Sequence, residues 1–236
     1  CDALILSDLG LAKLISEHFP QFELHASTQL SSGSSESALV LSKLGFSRMV
    51  CPRELSLKEI KHLCSSSPIP IEMFIHGAHC ASYSGQCLMS FAMGGRSGNR
   101  GDCAQPCRLP YSVCSRSDFE AMSLKDLCLA AHIPEILSSG AASLKIEGRL
   151  KSAEYVYGTV SVYRQLIDEK RPASREELEY LRAIFSRDGF TDGYFKASYE
   201  NMTGMRRRGD SELNASSFSC LTKKIHVRAD LTLIVS

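Results

Sequence analysis

The 236-residue chain is long enough for one large domain or two small ones, with no need of disulfides to hold a core. A hydrophobic fraction of 44% and a charged fraction of 22% exclude a disordered or collagenous chain, and no apolar run reaches the roughly 18 residues of a membrane span. The 27 basic and 26 acidic residues leave a net charge of +1, so no global field draws the chain to nucleic acid, although a local basic groove stays open.

The chain opens on Cys1 rather than Met, with a strand-like run at 3–6 already under way, and closes on a strand-like run at 231–236. Both ends read as cuts inside a longer protein. Up to His76 one pattern repeats. Short apolar runs at 3–6, 22–26, 47–51 and 69–76 alternate with helix-period stretches at 9–19, 36–44 and 57–64, the last with Leu57, Ile60 and Leu63 on one face. Units of roughly 20–25 residues predict βα repeats on a parallel sheet. This is an α/β fold, closer to a TIM-like (β/α) barrel than to a doubly wound sheet, since no GxGxxG loop occurs.

Residues 77–108 break the rhythm with six glycines, four cysteines and little periodicity. A loop of ~30 residues without structure of its own is rare unless functional. A strand is predicted at 109–114, a helix at 125–137 and a strand at 142–147. Ser152 reads as the N-cap of a helix running to Glu169, and Ser174 with Glu177 as a capping box before a helix at 176–185. An irregular stretch containing Arg206, Arg207 and Arg208 leads into a β element at 223–236. Five or six strands fall short of a closed barrel, so the barrel is expected to be N-terminally incomplete. Residues 1–170 form this partial barrel with the cysteine-rich loop 77–108, and 171–236 a C-terminal extension starting a small β module.

In such folds chemistry collects at the C-terminal ends of strands. Four ends deliver polar groups: His25; Arg53 and Glu54; His76; and Lys145, Glu147 and Arg149. Any one is explained by a strand end meeting solvent, whereas four together make a candidate rim. Glu72 is expected on the same strand face as His76, roughly 13 Å deeper, as a structural carboxylate.

Cys80, Cys87, Cys103 and Cys107 are spaced C-x6-C-x15-C-x3-C. Clustered thiols mean disulfides or a metal centre, and disulfides suit small secreted domains, which this is not. Zinc knuckles show two tight pairs where this chain has one. Irregular spacing among glycines suits an iron–sulfur cluster closely wrapped by its loop. On spacing alone, iron–sulfur, zinc and structural thiols all stay open. Cys51, Cys64 and Cys128 read as buried thiols, Cys114 is an alternative fourth ligand, and Cys1 and Cys220 have no assigned place. Arg96, Arg100 and Arg108 either grip phosphate or carboxylate or offset thiolate charge. A Cys80 nucleophile paired with His76 or His79 leaves the other cysteines unexplained, and neither G-x-S-x-G nor H-E-x-x-H occurs.

The run Glu72-x-Phe-x-His-Gly-Ala-x-Cys80-x-x-Tyr-Ser-Gly-x-Cys87-x-x-Ser90 resembles the signature of the U-32 peptidase family, the collagenase-like proteases. The likeness continues through Gly95-Arg-Ser-Gly-Asn-Arg-Gly-x-Cys103-Ala-Gln-Pro-Cys107-Arg108, Ser123-Leu-Lys-Asp-Leu127, Ser143-Leu-Lys-Ile-Glu-Gly-Arg149 and Phe185-Ser-Arg-Asp-Gly-Phe-Thr-Asp-Gly-Tyr194, and so over nearly the whole chain. It implies a TIM-like barrel in a cytoplasmic enzyme. It also implies two activities: proteolysis, for which the family is named, and oxygen-independent hydroxylation of RNA or a quinone precursor. The hydroxylating members imply a four-iron–four-sulfur cluster on Cys80, Cys87, Cys103 and Cys107, with prephenate as a co-substrate. His25-Ala-Ser-Thr-Gln29 and the Gly-Gly-Arg-Ser-Gly-Asn-Arg segment resemble the branch linked to 5-hydroxycytidine in ribosomal RNA. On that reading His25, His76, Lys145 and Glu147 are catalytic. Arg53, Tyr83, Arg96, Arg100, Arg108 and Arg149 then bind the RNA or the metabolite, helped by Arg206, Arg207 and Arg208, and the target pyrimidine leaves its stack to react. The alternatives are a peptidase with a peptide substrate and a non-catalytic assembly subunit that holds the cluster structurally.

Overall fold

The computed structural model describes residues 1–113, 116–200 and 202–203, and of residues 113 and 116–119 the backbone alone. Cys114, Arg206, Arg207, Arg208, Cys220 and the expected β element at 223–236 lie outside the described residues.

Three βα units come first: β1 (Ala3–Leu6) with α1 (Leu9–His18), β2 (Glu23–Ala26) with α2 (Ser35–Lys43), and β3 (Phe46–Val50) with α3 (Leu57–Ser66). Each helix begins where a side chain takes up an orphan N–H. Asp8 accepts from Leu11 N, and Ser34 and Ser56 form reciprocal capping boxes with Ser37 and Glu59. Then come β4 (Ile71–Gly77), α4 (Met89–Gly94), the hairpin of β5 (Tyr111–Val113) and β6 (Arg116–Phe119), β7 (Asp126–Cys128), α5 (Ile133–Leu137) and β8 (Ser143–Ile146). α6 (Ala153–Glu169), α7 (Arg175–Ile184), β9 (Phe190–Thr191) and α8 (Gly193–Lys196) complete the described elements. Ser152 caps α6, and the Ser174–Glu177 capping box opens α7, as their spacing predicts.

The mixed α/β class holds. β1, β2, β3 and β4 pair in parallel in sequence order, and β8 joins β4 in parallel. Met49, Ile71, Met73, Ile75, Leu129, Ile133, Tyr163 and Leu166 fill the core between sheet and helices. Among the described residues no helix is long and apolar enough to cross a membrane.

Several local expectations are corrected. Residues 125–137 are not one helix. Asp126–Cys128 is a strand, and α5 starts only at Ile133, with Pro134 in its first turn, where a proline is tolerated because no N–H is needed. Nor is the sheet parallel throughout. β7 pairs antiparallel with the end of β4, His76 opposite Cys128 and Gly77 opposite Leu127, and β9 lies parallel to β7. Residues 77–108 are not structureless either, since α4 and 3-10 turns at Tyr83–Gly85, Gly98–Arg100 and Pro106–Arg108 punctuate them.

β4 ends on Gly77, at φ +111, where an added Cβ would stand 2.7 Å from the Glu147 carbonyl oxygen. Only glycine lets the ends of β4 and β8 come this close.

Candidate functional site

A row of polar groups crosses one face of the sheet. His25 on β2 stands opposite Arg48 on β3, Glu72 on β4 opposite Ser143 on β8, and Phe74 opposite Lys145. Glu72 accepts from Ser143 Oγ at 2.9 Å and pairs with Lys145 Nζ at 3.0 Å and Arg48 Nη1 at 3.5 Å. Burial pushes this carboxyl's pKa up, but Lys145, Ser143 and Arg48 together outweigh it and hold the group below its ordinary value. Arg53, from the loop after β3, lies 3.9 Å above the Phe74 ring and reaches Glu147 Oε2 at 3.3 Å. Burial lowers the Arg53 pKa, and Glu147 opposes that shift. Lys145, Glu147, Arg53 and Glu72 thus gather around Phe74. His25 is two strands away and buried, its Nε2 3.5 Å from the Glu23 carboxylate and without a hydrogen bond.

His76 does not share the face of Glu72, contrary to expectation. The pairing of β4 with β8 slips between Phe74 and His76, so Phe74 faces Lys145 whereas His76 faces the next residue, Ile146. One extra residue in β4 reverses the alternation of side chains. His76 therefore packs among Tyr155, Tyr163 and Phe190, with Nδ1 3.3 Å from the Tyr163 hydroxyl. It is 1% exposed, and burial pushes its pKa down to about 4. Tyr163 donates to the Ile75 carbonyl and accepts from Leu129 N, which ties β4 to the residue just after β7 through α6.

The cysteine loop is fastened to several strand ends. Glu54 accepts from Ser84 N at 2.5 Å and Ser84 Oγ at 3.0 Å, holding a buried serine at φ +45 between Cys80 and Cys87. Gln86 donates to the Gln29 carbonyl after β2. Arg108 is buried rather than displayed: its guanidinium donates to Ser123 Oγ at 2.7 Å, to the His79 carbonyl at 2.9 Å and to the Leu124 carbonyl. Arg187 binds Gln105 Oε1 at 3.2 Å and closes on Asp126, itself 1% exposed, through Nη2 at 2.5 Å and its backbone N–H at 2.8 Å. Arg96 is held by Asp102 at 2.7 Å. Arg149 lies against Gly101, where any Cβ would collide with its guanidinium. Tyr83 and Arg100 are exposed on the loop.

The four thiols behave as a set. Cys80 feels the charges of Cys87 and Cys103, and Cys107 those of Cys80, Cys103 and Cys87; burial raises both pKa values, while Arg53 and Arg108 respectively oppose the rise. Three thiols each accept a backbone N–H from two residues ahead: Ser82 N to Cys80 Sγ at 3.4 Å, Met89 N to Cys87 Sγ at 3.4 Å and Gln105 N to Cys103 Sγ at 3.3 Å. Such donors favour the thiolate, the form that binds metal. Among the described residues no three His, Cys, Asp or Glu groups are placed to hold a single ion. A multi-iron cluster takes one thiolate per iron. Cys51 and Cys128 are buried as expected, with burial pushing Cys51 up to about 12, while Cys64 is half-buried.

The family model described as peptidase family U32 matches residues 1–204. The chain belongs to this family. The U32 chain is 43% identical over 173 residues, 71% of its own length and 26% of the relative's, to the 23S rRNA 5-hydroxycytidine C2501 synthase of Escherichia coli. It is 38% identical over 212 residues, 82% of its length and 50% of the relative's, to tRNA hydroxylation protein P of Helicobacter pylori. It is also 33% identical over 218 residues, 82% of its length and 52% of the relative's, to a protein named collagenase from Porphyromonas gingivalis. The U32 chain thus spans about half or less of these relatives.

Sequence reasoning passed over Arg48, Asp126, Lys151 and Arg187. A lone acid inside the apolar run from Leu124 to Ile133 was the available signal for Asp126, since a buried carboxylate needs a cation. From the sequence His79 is a candidate only as a partner for Cys80. It is 3% exposed, with both ring nitrogens unpartnered and its ring edge-on to Tyr194.

Proposed function

We propose that the U32 chain carries the core of an iron–sulfur enzyme that hydroxylates a pyrimidine of RNA, on the 5-hydroxycytidine or 5-hydroxyuridine pattern, without molecular oxygen. The observation that carries this reading is the donor set. Four thiols sit in one loop, three with a backbone N–H aimed at sulfur, fastened over a rim of paired cations and carboxylates. The parallel run β1-β2-β3-β4 with β8 suits a TIM-like barrel that displays this rim.

Replacing a ring C–H by C–OH removes two electrons and adds one oxygen atom, so it needs a co-substrate as oxygen donor and two-electron acceptor; Cys80, Cys87, Cys103 and Cys107 would hold a four-iron–four-sulfur cluster, which would relay the electrons. The chain's own residues do the rest. Lys145 and Glu147, held by Glu72 and Arg53, are the groups placed to meet the base. His25 and His76 act from within the sheet by positioning strands. Arg149, Arg96 and Arg100 are the cations for phosphate or for the carboxylates of a co-substrate such as prephenate, while Arg108 organises the loop. An RNA substrate goes with a cytoplasmic enzyme.

The peptidase reading draws on the collagenase-named relative. Among the described residues, however, no histidine ring is hydrogen-bonded to a serine or cysteine side chain, so no activated nucleophile is assembled.

The test is mass spectrometry of nucleosides from ribosomal and transfer RNA of the source organism with the gene deleted. A hydroxypyrimidine should vanish, return with the wild-type gene and stay absent with Cys87→Ser. Unchanged hydroxypyrimidines, with peptide cleavage that survives Cys87→Ser, would overturn the proposal.

A further inference from the structure

Leu150 breaks two local rules at once. Its side chain is 92% exposed and its backbone is left-handed, at φ +59. Lys151 N donates to the Gly148 carbonyl at 3.1 Å, which makes residues 148–151 a β-turn with Leu150 third. A positive φ at that position favours glycine or asparagine. An exposed leucine alone is unremarkable. A leucine held in glycine's conformation, with its side chain in water, gains nothing from the fold, and such a conflict marks functional use.

The turn is also fixed on both flanks. Arg149 N donates to Glu147 Oε1 at 3.0 Å, and the Arg149 guanidinium lies against Gly101 of the cysteine loop. Lys151 places Nζ 3.0 Å from the centre of the Phe185 ring, and Ser152 caps α6 immediately afterwards. The leucine tip therefore projects from a clamped turn, three residues beyond Glu147, between the cysteine loop and the start of α6.

We infer that Leu150 is a wedge: it enters the base stack of a folded RNA and takes the place of the pyrimidine that swings out into the site. The inference rests on the RNA reading proposed above. A nucleobase enters a pocket only after unstacking, and an apolar side chain slid between the neighbouring bases offsets that cost. The exposed Arg149 beside it meets the backbone phosphates and fixes the register of the wedge.

The test uses the full-length protein and two substrates: the folded RNA in which the hydroxypyrimidine is found, and a short unstructured oligoribonucleotide with the same target and flanks. Removing the wedge should matter where there is a stack to open. Leu150→Gly should slow hydroxylation of the folded RNA about tenfold more than that of the oligoribonucleotide. Its melting temperature should equal or exceed that of the wild type, because glycine adopts this φ freely. Leu150→Met, which keeps an apolar tip, should restore most of the rate on folded RNA. A Leu150→Gly protein with the wild-type ratio of rates on the two substrates would overturn the wedge. A wild-type protein that hydroxylates neither RNA would instead remove the RNA reading itself, before any variant is compared.

Discussion

At the scale of single residues, the acid that the motif places at Asp126 is structural. It is 1% exposed and takes three donors from Arg187, which also reaches Gln105 between Cys103 and Cys107. Asp126→Asn would leave that guanidinium without its counter-charge. Breaking a buried pair in this way costs about 3–5 kcal/mol, measurable as a lower urea midpoint. His76 makes stability depend on pH. Its pKa is held near 4 in the fold against 6.5 for the free side chain, so the unfolded chain takes the proton first. The stability it contributes is present above pH 6.5 and drains away as pH falls toward 4. Between pH 7 and 5 the loss is about 2 kcal/mol. His76→Gln should flatten this share of the pH dependence in thermal melts at the two pH values. At this scale the four cysteines of the loop stand out by their spacing, which leaves iron–sulfur, zinc and structural thiols all open. The partners of Asp126 and Glu54 were not legible, since Arg187 and Ser84 are distant in sequence and meet them only in the fold.

At the scale of elements, strands and helices of the first half were legible because each carries its own signals: an apolar run, then a capping serine or aspartate, then a helical stripe. β7 is not visible in the sequence, because three residues are too few to show a period and the apolar positions that follow continue a helix-like spacing into α5. Pro134 held the correction, as a proline marks the first turn of a helix rather than its middle. The slip in β4 was not legible, since a bulge is defined by the partner strand, here β8. It decides the site, for it puts Glu72 and Phe74 among the rim charges and His76 among the aromatic rings of α6. The close meeting of β4 and β8 is itself testable. Gly77→Ala forces a Cβ to within 2.7 Å of the Glu147 carbonyl at φ +111. A cost of about 1–3 kcal/mol is expected, read from urea denaturation, and the proposed cluster would be held more weakly, because Glu147 and Cys80 both follow from this junction.

At the scale of the whole molecule, the sheet acts as a frame for one loop. Contacts from beyond β2, β3 and β8 and from the segment before β9 all converge on residues 80–108, through Gln29, Glu54, Arg149 and Arg187. A loop so fastened presents its thiols with little ordering left to do, as the proposed cluster would require. The mixed α/β class and the family were readable from the sequence, because alternation and long motifs are local properties. The antiparallel addition of β7 and β9 was not, because it depends on which edge of β4 remains free above β3. The proposed enzyme depends on an iron–sulfur cluster held by Cys80, Cys87, Cys103 and Cys107. That proposal is tested most directly by iron, zinc and acid-labile sulfide analysis of the full-length protein purified without oxygen. The expected result is about four irons and four sulfides per chain, lost in Cys87→Ser. A colourless protein with one zinc per chain and no sulfide would contradict it.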